Sequence, residues 1–140
     1  MSDVDNDTLG FTVWIEPNAG LSELAQIRFQ RRLEDHLQGQ DLVMGGGPLC
    51  GVISSPGRDV GPADQVELIN HLVDDSAVRS LRISPITVDL GEPAPREAGY
   101  LEVRALDLAV IGLTLLHRTR GVDAQTYLQL LGGFVRPATH

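Results

Sequence analysis

The prediction of the fold class starts from the segment Phe11-Thr12-Val13-Trp14-Ile15-Glu16. β-Branched and aromatic side chains fill most of its positions, which is typical of a strand. Pro17-Asn18-Ala19-Gly20 follows, and these turn-forming residues end the strand. Ser22, a favoured N-cap residue, then predicts a helix that continues to about Gln38.

The first predicted helix is amphipathic. Its apolar stripe consists of residues spaced four apart, which fall on one side of a helix. These residues are Ala25, Phe29, Leu33 and Leu37. Leu24 and Ile27 lie off the stripe. Arg28, Arg31 and Arg32 fall within an arc of roughly 100° on another side.

The following residues repeat the alternation of strands and helices. Residues 42–44 and 49–53 are short strand candidates, and Gly45-Gly46-Gly47 between them is typical of a hairpin connection. Pro62 suits the first position of a second helix, because its φ angle is already helical. Residues 78–88 alternate as a closing strand, which Pro85 restricts to a sheet edge.

The order β-α-β-β-α-β across residues 9–90 predicts an α+β fold of the ferredoxin-like type, an antiparallel sheet with two helices on one face. Residues 1–8 are predicted to be an acidic disordered tail, and residues 91–97 a proline-rich linker. Residues 98–140 are predicted to be an αα-hairpin extension. Its first helix covers residues 101–116, Gly121 lies at the corner and Asp123 caps the second helix.

Composition excludes several classes of function. The chain has 140 residues and a net charge of -8, and all of its bases are arginines. It therefore lacks the lysine of a Schiff base or a P-loop, and an acidic surface disfavours DNA binding. Cys50 is the single cysteine, which excludes an intrachain disulfide and favours a cytoplasmic location. No secretory signal is expected, and the longest apolar stretch, residues 108–116, is too short to span a membrane.

The ordered set of motifs resembles the YggL family of small proteins. The resemblance rests on Leu9-Gly10-Phe11-Thr12-Val13, the Pro17–Gly20 turn, Leu21-Ser22-Glu23 and the glycine-rich hairpin, and it covers residues 9–90. It implies association with the large (50S) ribosomal subunit and no catalysis. The first functional hypothesis is therefore a ribosome-associated binding protein without a cofactor.

Two groups of residues are candidates for partner binding. Arg28, Arg31 and Arg32 could form a patch for RNA or an acidic protein, and Gly45, Gly46 and Gly47 could bring backbone N–H groups close to a ligand. The alternative for the arginines is a solvated helix face with Arg31 paired to Asp35. The alternative for the glycines is a turn that needs a positive φ.

The remaining chemically versatile residues carry no catalytic or metal-binding pattern. The four histidines, at positions 36, 71, 117 and 140, lack metal-ligand spacing, although the two predicted helices could bring His36 and His71 together. Cys50 within a strand is expected to act as a small apolar side chain. No nucleophile with a base and an orienting group is recognisable, so an enzyme is the least favoured class.

The C-terminal helices need an apolar partner. Leu106, Val110, Leu113 and Leu128 could pack within the chain, or they could form a homodimer interface. The second functional hypothesis is an acidic protein-interaction module, such as an inhibitor or immunity protein, which binds a basic protein and dimerises through these helices.

Overall fold

A computed structural model describes residues 9–47, 49–88, 101–104 and 108–134. It has an α+β fold, as the sequence predicts. The strands are β1 (Leu9–Pro17), β2 (Val43–Gly46), β3 (Cys50–Ser54), β4 (Val78–Ile83), β5 (Thr87–Val88) and β6 (Leu101–Arg104). The helices are α1 (Glu23–Gly39), α2 (Pro62–Val73), α3 (Leu108–Arg118) and α4 (Ala124–Phe134). The predicted tail, the predicted linker and Leu106 lie outside the described residues.

The strands form one antiparallel sheet in the order β2-β3-β1-β4-β6, and β5 pairs with the start of β1. Strand β1 lies in the middle, between β3 and β4. Its alternate side chains Phe11, Val13 and Ile15 are buried in the core that the helices share, as expected for one apolar face of a strand. The stretch that decided the predicted fold class is therefore the centre of the sheet.

Helix α1 begins at the predicted residue. The Ala25 N–H donates to Ser22 Oγ at 3.1 Å, so the serine satisfies one of the free amides of the first turn. Phe29, Leu33 and Leu37 are buried, which confirms most of the predicted apolar stripe.

Helix α2 begins at Pro62, also as predicted. Gly61 precedes it, and the Gly61 N–H donates to Asp64 Oδ2 at 2.8 Å. Asp64 also accepts two hydrogen bonds of 2.8 Å from the Arg58 guanidinium. Burial opposes ionisation of Asp64, but the hydrogen bonds from Arg58 and Gly61 outweigh it and lower the pKa of this carboxyl group.

Three boundaries differ from the sequence-based predictions. Gly45 and Gly46, expected in the hairpin connection, belong to β2, because they pair with Val52 and Gly51 of β3. Residues 101–104 are not the start of a helix but strand β6, which pairs with β4 so that Val103 lies opposite Leu81. Apolar and polar residues alternate in this segment, as is typical of a strand, and β4 provides the strand with which it pairs. The predicted closing strand is also interrupted before Pro85. Its first part, β4, is an interior strand because β6 covers its second edge.

The C-terminal helices pack within the chain. Helix α4 contacts both α3 and α2. Val110 and Leu113 are almost completely buried in the same core as Tyr127 and Leu131, and Leu128 packs against that core. Packing within the chain, one of the two expected arrangements, accounts for the burial of Val110 and Leu113, and the dimer interface stays a prediction.

The turn between α3 and α4 has the residues predicted for it. The Gly121 N–H donates to the Leu116 carbonyl at 2.7 Å, and Asp123 Oδ1 accepts from the Thr126 N–H at 2.8 Å. In the described residues we find no helix with the length and apolar character needed to cross a membrane.

Replacing Leu113 tests the intramolecular packing. Leu113→Ala should lower the free energy of unfolding by about 2–5 kcal/mol, because it removes buried methyl groups and leaves a cavity. Leu115→Ala is the matched control on the same helix, since Leu115 is 56% exposed, and its effect should stay within about 0.5 kcal/mol. Urea unfolding of both variants at two protein concentrations measures this. A midpoint that rises with concentration in the parent chain but not in Leu113→Ala would contradict the assignment.

Candidate functional site

The three arginines of α1 differ in their contacts. Arg32 forms a bidentate ion pair with Asp75, in which Nε and Nη2 donate to the two carboxylate oxygens at 2.8 Å each. The contact joins α1 to the residues that follow α2. Burial opposes ionisation of Asp75, but hydrogen bonds from Arg32 and from the Ala77 N–H outweigh it and lower the pKa of the carboxyl group. Arg32 therefore has a structural partner, and its part in the expected patch stays a prediction.

Arg28 and Arg31 are exposed on the outer side of α1. Leu24 and Ile27, which lie off the apolar stripe, are also more than half exposed. Among the described residues Arg31 forms no ion pair, so the expected pairing with Asp35 is not observed. The outer side of α1 thus combines two guanidinium groups that form no ion pair within the described ranges with two exposed aliphatic side chains.

A groove of about 750 Å³ lies between α1 and β2, and we call it the α1–β2 groove. Its lining is apolar where the helix faces the strand and polar along the outer side of the helix. The apolar lining comprises Leu33, Leu37, Leu42, Val43 and Met44, and the polar lining comprises Gln30, Glu34, Asp35 and Gln38. Gly46 and Gly47, two of the glycines predicted to contact a partner, line the groove at one end.

Strand β2 is at the end of the described sheet, and in the part of the chain that is described it pairs with β3 alone. The Gly47 N–H donates to the Cys50 carbonyl at 2.9 Å. Because hydrogen-bonded and non-hydrogen-bonded pairs alternate along an antiparallel ladder, Met44, three residues earlier, directs its backbone N–H and C=O away from β3. The side chain of Val43 is 51% exposed. The outer edge of β2 therefore presents unpaired backbone groups beside the groove.

Gly46 and Gly51 are needed for the close approach of β2 and β3. Gly46 has a φ of +114°, and a Cβ atom there would lie 3.0 Å from the Cys50 carbonyl oxygen. A Cβ atom on Gly51 would lie 2.5 Å from the Gly45 carbonyl oxygen. The backbone geometry thus supports the expected positive φ at Gly46. Gly45 and Gly47 do not have a positive φ, and a Cβ atom on either would make no close contact. This geometry does not exclude a partner, because Gly45, Gly46 and Gly47 are also exposed.

A second cleft, of about 740 Å³, lies where α1, α2 and the α3–α4 turn meet. The rings of His36 and His71 stack there, with centroids 4.4 Å apart and planes within 12°. His117 Nδ1 lies 3.2 Å from Asn70 Nδ2 in the same cleft. The possibility that the two helices bring His36 and His71 together is therefore realised. We call His36, His71, His117 and Asn70 the histidine cluster.

The two stacked histidines both have a lowered pKa, which favours their neutral forms. Burial, followed by the proximity of His71, lowers the pKa of His36 to about 4. Burial also lowers the pKa of His71, and Asp75 partly offsets that effect. Three buried polar atoms of the cluster have no hydrogen-bond partner among the described residues: His36 Nε2, His71 Nε2 and Asn70 Oδ1.

The histidine cluster is not arranged as a metal centre. In-plane nitrogen lone pairs of two parallel stacked rings do not converge on one point, so one ion cannot use both in good geometry. Across the described ranges, no three His, Cys, Asp or Glu side chains come together as metal ligands. His140 lies outside those ranges. Cys50 is half-buried in β3, and burial raises the pKa of its thiol, which disfavours the reactive thiolate.

Comparison of the chain with protein-family models, with curated proteins and with solved structures found no match. The candidate sites therefore rest on the geometry described above. Sequence reasoning had selected the glycines of the α1–β2 groove but not the groove itself. The sequence feature that indicates the groove is a short exposed strand that is followed by glycines and preceded by an amphipathic helix.

The structural role of Arg32 can be tested against its neighbour. Arg32→Gln should lower the free energy of unfolding by about 1–3 kcal/mol, because it leaves the buried Asp75 carboxylate without its strongest hydrogen bonds. Arg31→Gln, one position away and exposed, should change it by less than about 0.5 kcal/mol. Thermal or urea unfolding measures both variants. Equal effects would show that the Arg32–Asp75 pair does not stabilise the contact between α1 and the end of α2.

Proposed function

We propose that this chain is a non-catalytic binding protein that holds an extended, basic peptide segment along the outer edge of β2. We further propose a ferredoxin-like domain for residues 9–88. The element order, the strand order β2-β3-β1-β4 and the shared core of β1, α1 and α2 support this assignment. In this scheme α3 and α4 form an αα-hairpin that extends the helical layer.

The observation that carries the proposal is an open strand edge beside an apolar groove. An extended peptide can add to an exposed edge, so that its backbone supplies hydrogen bonds and its alternate side chains enter a neighbouring groove. Met44 offers the backbone groups, and the side chains of Val43 and Met44, which are not fully buried, offer apolar surface beside them. The exposed glycines of the hairpin leave room for another backbone to approach.

Charge favours a basic peptide. Glu34 and Asp35 line the groove, and the whole chain has a net charge of -8. An acidic surface steers a basic partner towards it and disfavours acidic ones. Arg28 and Arg31 lie outside the groove lining and do not neutralise its two carboxylates by ion pairs in the described structure.

The resemblance of residues 9–90 to the YggL family suggests where such a partner would be found. Proteins that bind nucleic acid often carry basic arms, and a ribosomal protein arm has the chemistry that the groove selects. We therefore propose the large ribosomal subunit as the location of the partner. The same chemistry would suit a free basic protein, which is the inhibitor-like alternative.

A short fluorescent peptide in which Arg alternates with Val tests the mode of binding. It should bind the chain at low salt, and N-methylation of alternate peptide amides should weaken binding at least about tenfold, because it removes backbone donors without changing charge. Fluorescence anisotropy measures affinity, and amide shifts in nuclear magnetic resonance spectra should concentrate at residues 43–47. Equal affinity of the two peptides would mean that charge alone binds them, and the proposal would fail.

Substitution of Met44 tests the edge itself. Met44→Pro should fold, since this N–H is outside the β2–β3 ladder, and should bind the alternating peptide at least about tenfold more weakly. Met44→Leu, which keeps the N–H and the apolar side chain, should bind like the parent chain. If Met44→Pro also keeps its affinity, β2 is not the docking edge.

Co-sedimentation tests the ribosomal location separately. The chain should sediment with isolated 50S subunits at low salt and be released as salt rises, because screening weakens its charge-dependent contacts. Met44→Pro should be absent from the pellet. Arg28→Glu combined with Arg31→Glu should still sediment if the groove makes the contact, whereas its loss would assign the contact to the arginines and RNA. If the parent chain is absent from 50S fractions, the ribosomal location is wrong, whereas the proposal of peptide binding at β2 is still decided by the peptide measurement.

A further inference from the structure

We propose that His36 and His71 form an acid-sensitive contact between α1 and α2, which is closed while both rings are neutral and opens locally when they take up protons. The proposal is independent of the peptide groove, which lies on the other side of α1's buried stripe and contains neither histidine.

The geometry of the contact suits neutral rings only. The rings are stacked with centroids 4.4 Å apart, so two imidazolium charges would face each other at that distance. The Nε2 atom of each ring is buried and has no hydrogen-bond partner in the part of the chain that the structure describes. A neutral imidazole can leave one nitrogen as a bare acceptor, whereas an imidazolium has two N–H donors that both need acceptors. Protonation therefore adds repulsion and an unsatisfied donor to each ring.

The surrounding charges do not rescue the protonated state. Arg32 contributes a cation from α1, Arg118 one from α3 and Arg120 one from the following turn, and His117 also lines the cleft. The carboxylates near His71 are Asp74 and Asp75, together with Glu67 and Asp123 at the cleft wall. Asp75 is already paired with Arg32, and Asp74 accepts from Arg118 at 3.1 Å. The paired carboxylates are thus partly neutralised, and Glu67 and Asp123 are exposed to solvent.

The direction of the pH effect follows from proton uptake. In the folded chain the pKa of His36 is about 4 and that of His71 is also below its usual value of 6.5, mainly because of burial. An open or unfolded state, with ordinary histidines, binds more protons between those values. The contact is therefore fully stable above about pH 6.5 and weakens as pH falls towards 4. Each histidine can shift the closed-to-open ratio by at most about tenfold per pH unit, and partial exposure reduces this.

The Arg32–Asp75 pair supplies an internal reference. The pKa of Asp75 is lowered, so this ion pair stays formed while the histidines become protonated. Opening should therefore start at the histidine cluster rather than at Arg32. Amide hydrogen exchange should report it near His36 and His71 before the centre of the sheet loses protection.

The test compares the parent chain with His36→Phe combined with His71→Phe, which keeps two stacked rings and removes both titrating groups. Urea unfolding at about pH 7.5 and about pH 5 should show that the folded-to-unfolded ratio of the parent falls at least about tenfold more than that of the variant. All other acids and histidines are common to both chains, so the difference reports the pair. Equal falls in the two chains would overturn the proposal.

A nuclear magnetic resonance titration of the parent chain provides a measurement that does not depend on the variant's folding. Two histidine Cε1–H signals should be assigned through His36→Phe and His71→Phe or through intact-chain correlations. The pKa from the His36 signal should be about 4, and that from the His71 signal should be below the ordinary histidine value. Hydrogen exchange at the ends of α1 and α2 should accelerate over the same pH range. The proposal would also be overturned if both rings titrated near pH 6.5. The same holds if amide exchange at the ends of α1 and α2 changed with pH only as much as exchange in an unstructured peptide does.

Discussion

Burial of one face of β1 sets the pairing of the sheet and the placement of the helices against it. The strand is hydrogen-bonded on both sides, and Phe11, Val13 and Ile15 are the side chains that α1 and α2 cover. Because side chains alternate along a strand, a shift of one residue in either pairing would turn these three side chains away from the core. The register of β1 therefore fixes which edge β2 presents and how α1 lies across the sheet.

Helix α1 links the two candidate regions of the molecule. Its buried stripe packs against the sheet, and on either side of that stripe it lines a cleft. Towards α2 the contacts are polar, with the Arg32–Asp75 ion pair and the stacked histidines near each other. Towards β2 the contacts are mostly apolar and incomplete. Helix α1 thus contacts α2 through an ion pair and two titratable rings, whereas an open groove lies between α1 and β2.

The sequence was informative where the signal is local. The alternation in β1, the Ser22 cap, the stripe of α1 and the start of α2 at Pro62 each depend on residues close together in the chain, and the structure has them. Strand β6 was missed because four residues are too few to establish a period, and its pairing depends on β4, about twenty residues earlier. Apolar periodicity alone also could not separate a core-facing Leu113 from a dimer-facing one.

The candidate sites were harder to predict because they depend on contacts between distant segments. Arg28, Arg31 and Arg32 share one arc of a helix, and only the position of Asp75, 43 residues further on, distinguishes Arg32 from the others. The histidine stack likewise requires the relative placement of two helices.

Gly46 shows which surface positions of the hairpin accept substitution. The residue is solvent-exposed, yet its positive φ and the nearby Cys50 carbonyl oxygen leave no room for a side chain. Accessibility to water is therefore a poor guide to mutational tolerance in this hairpin, where a surface position is as restrictive as the interior.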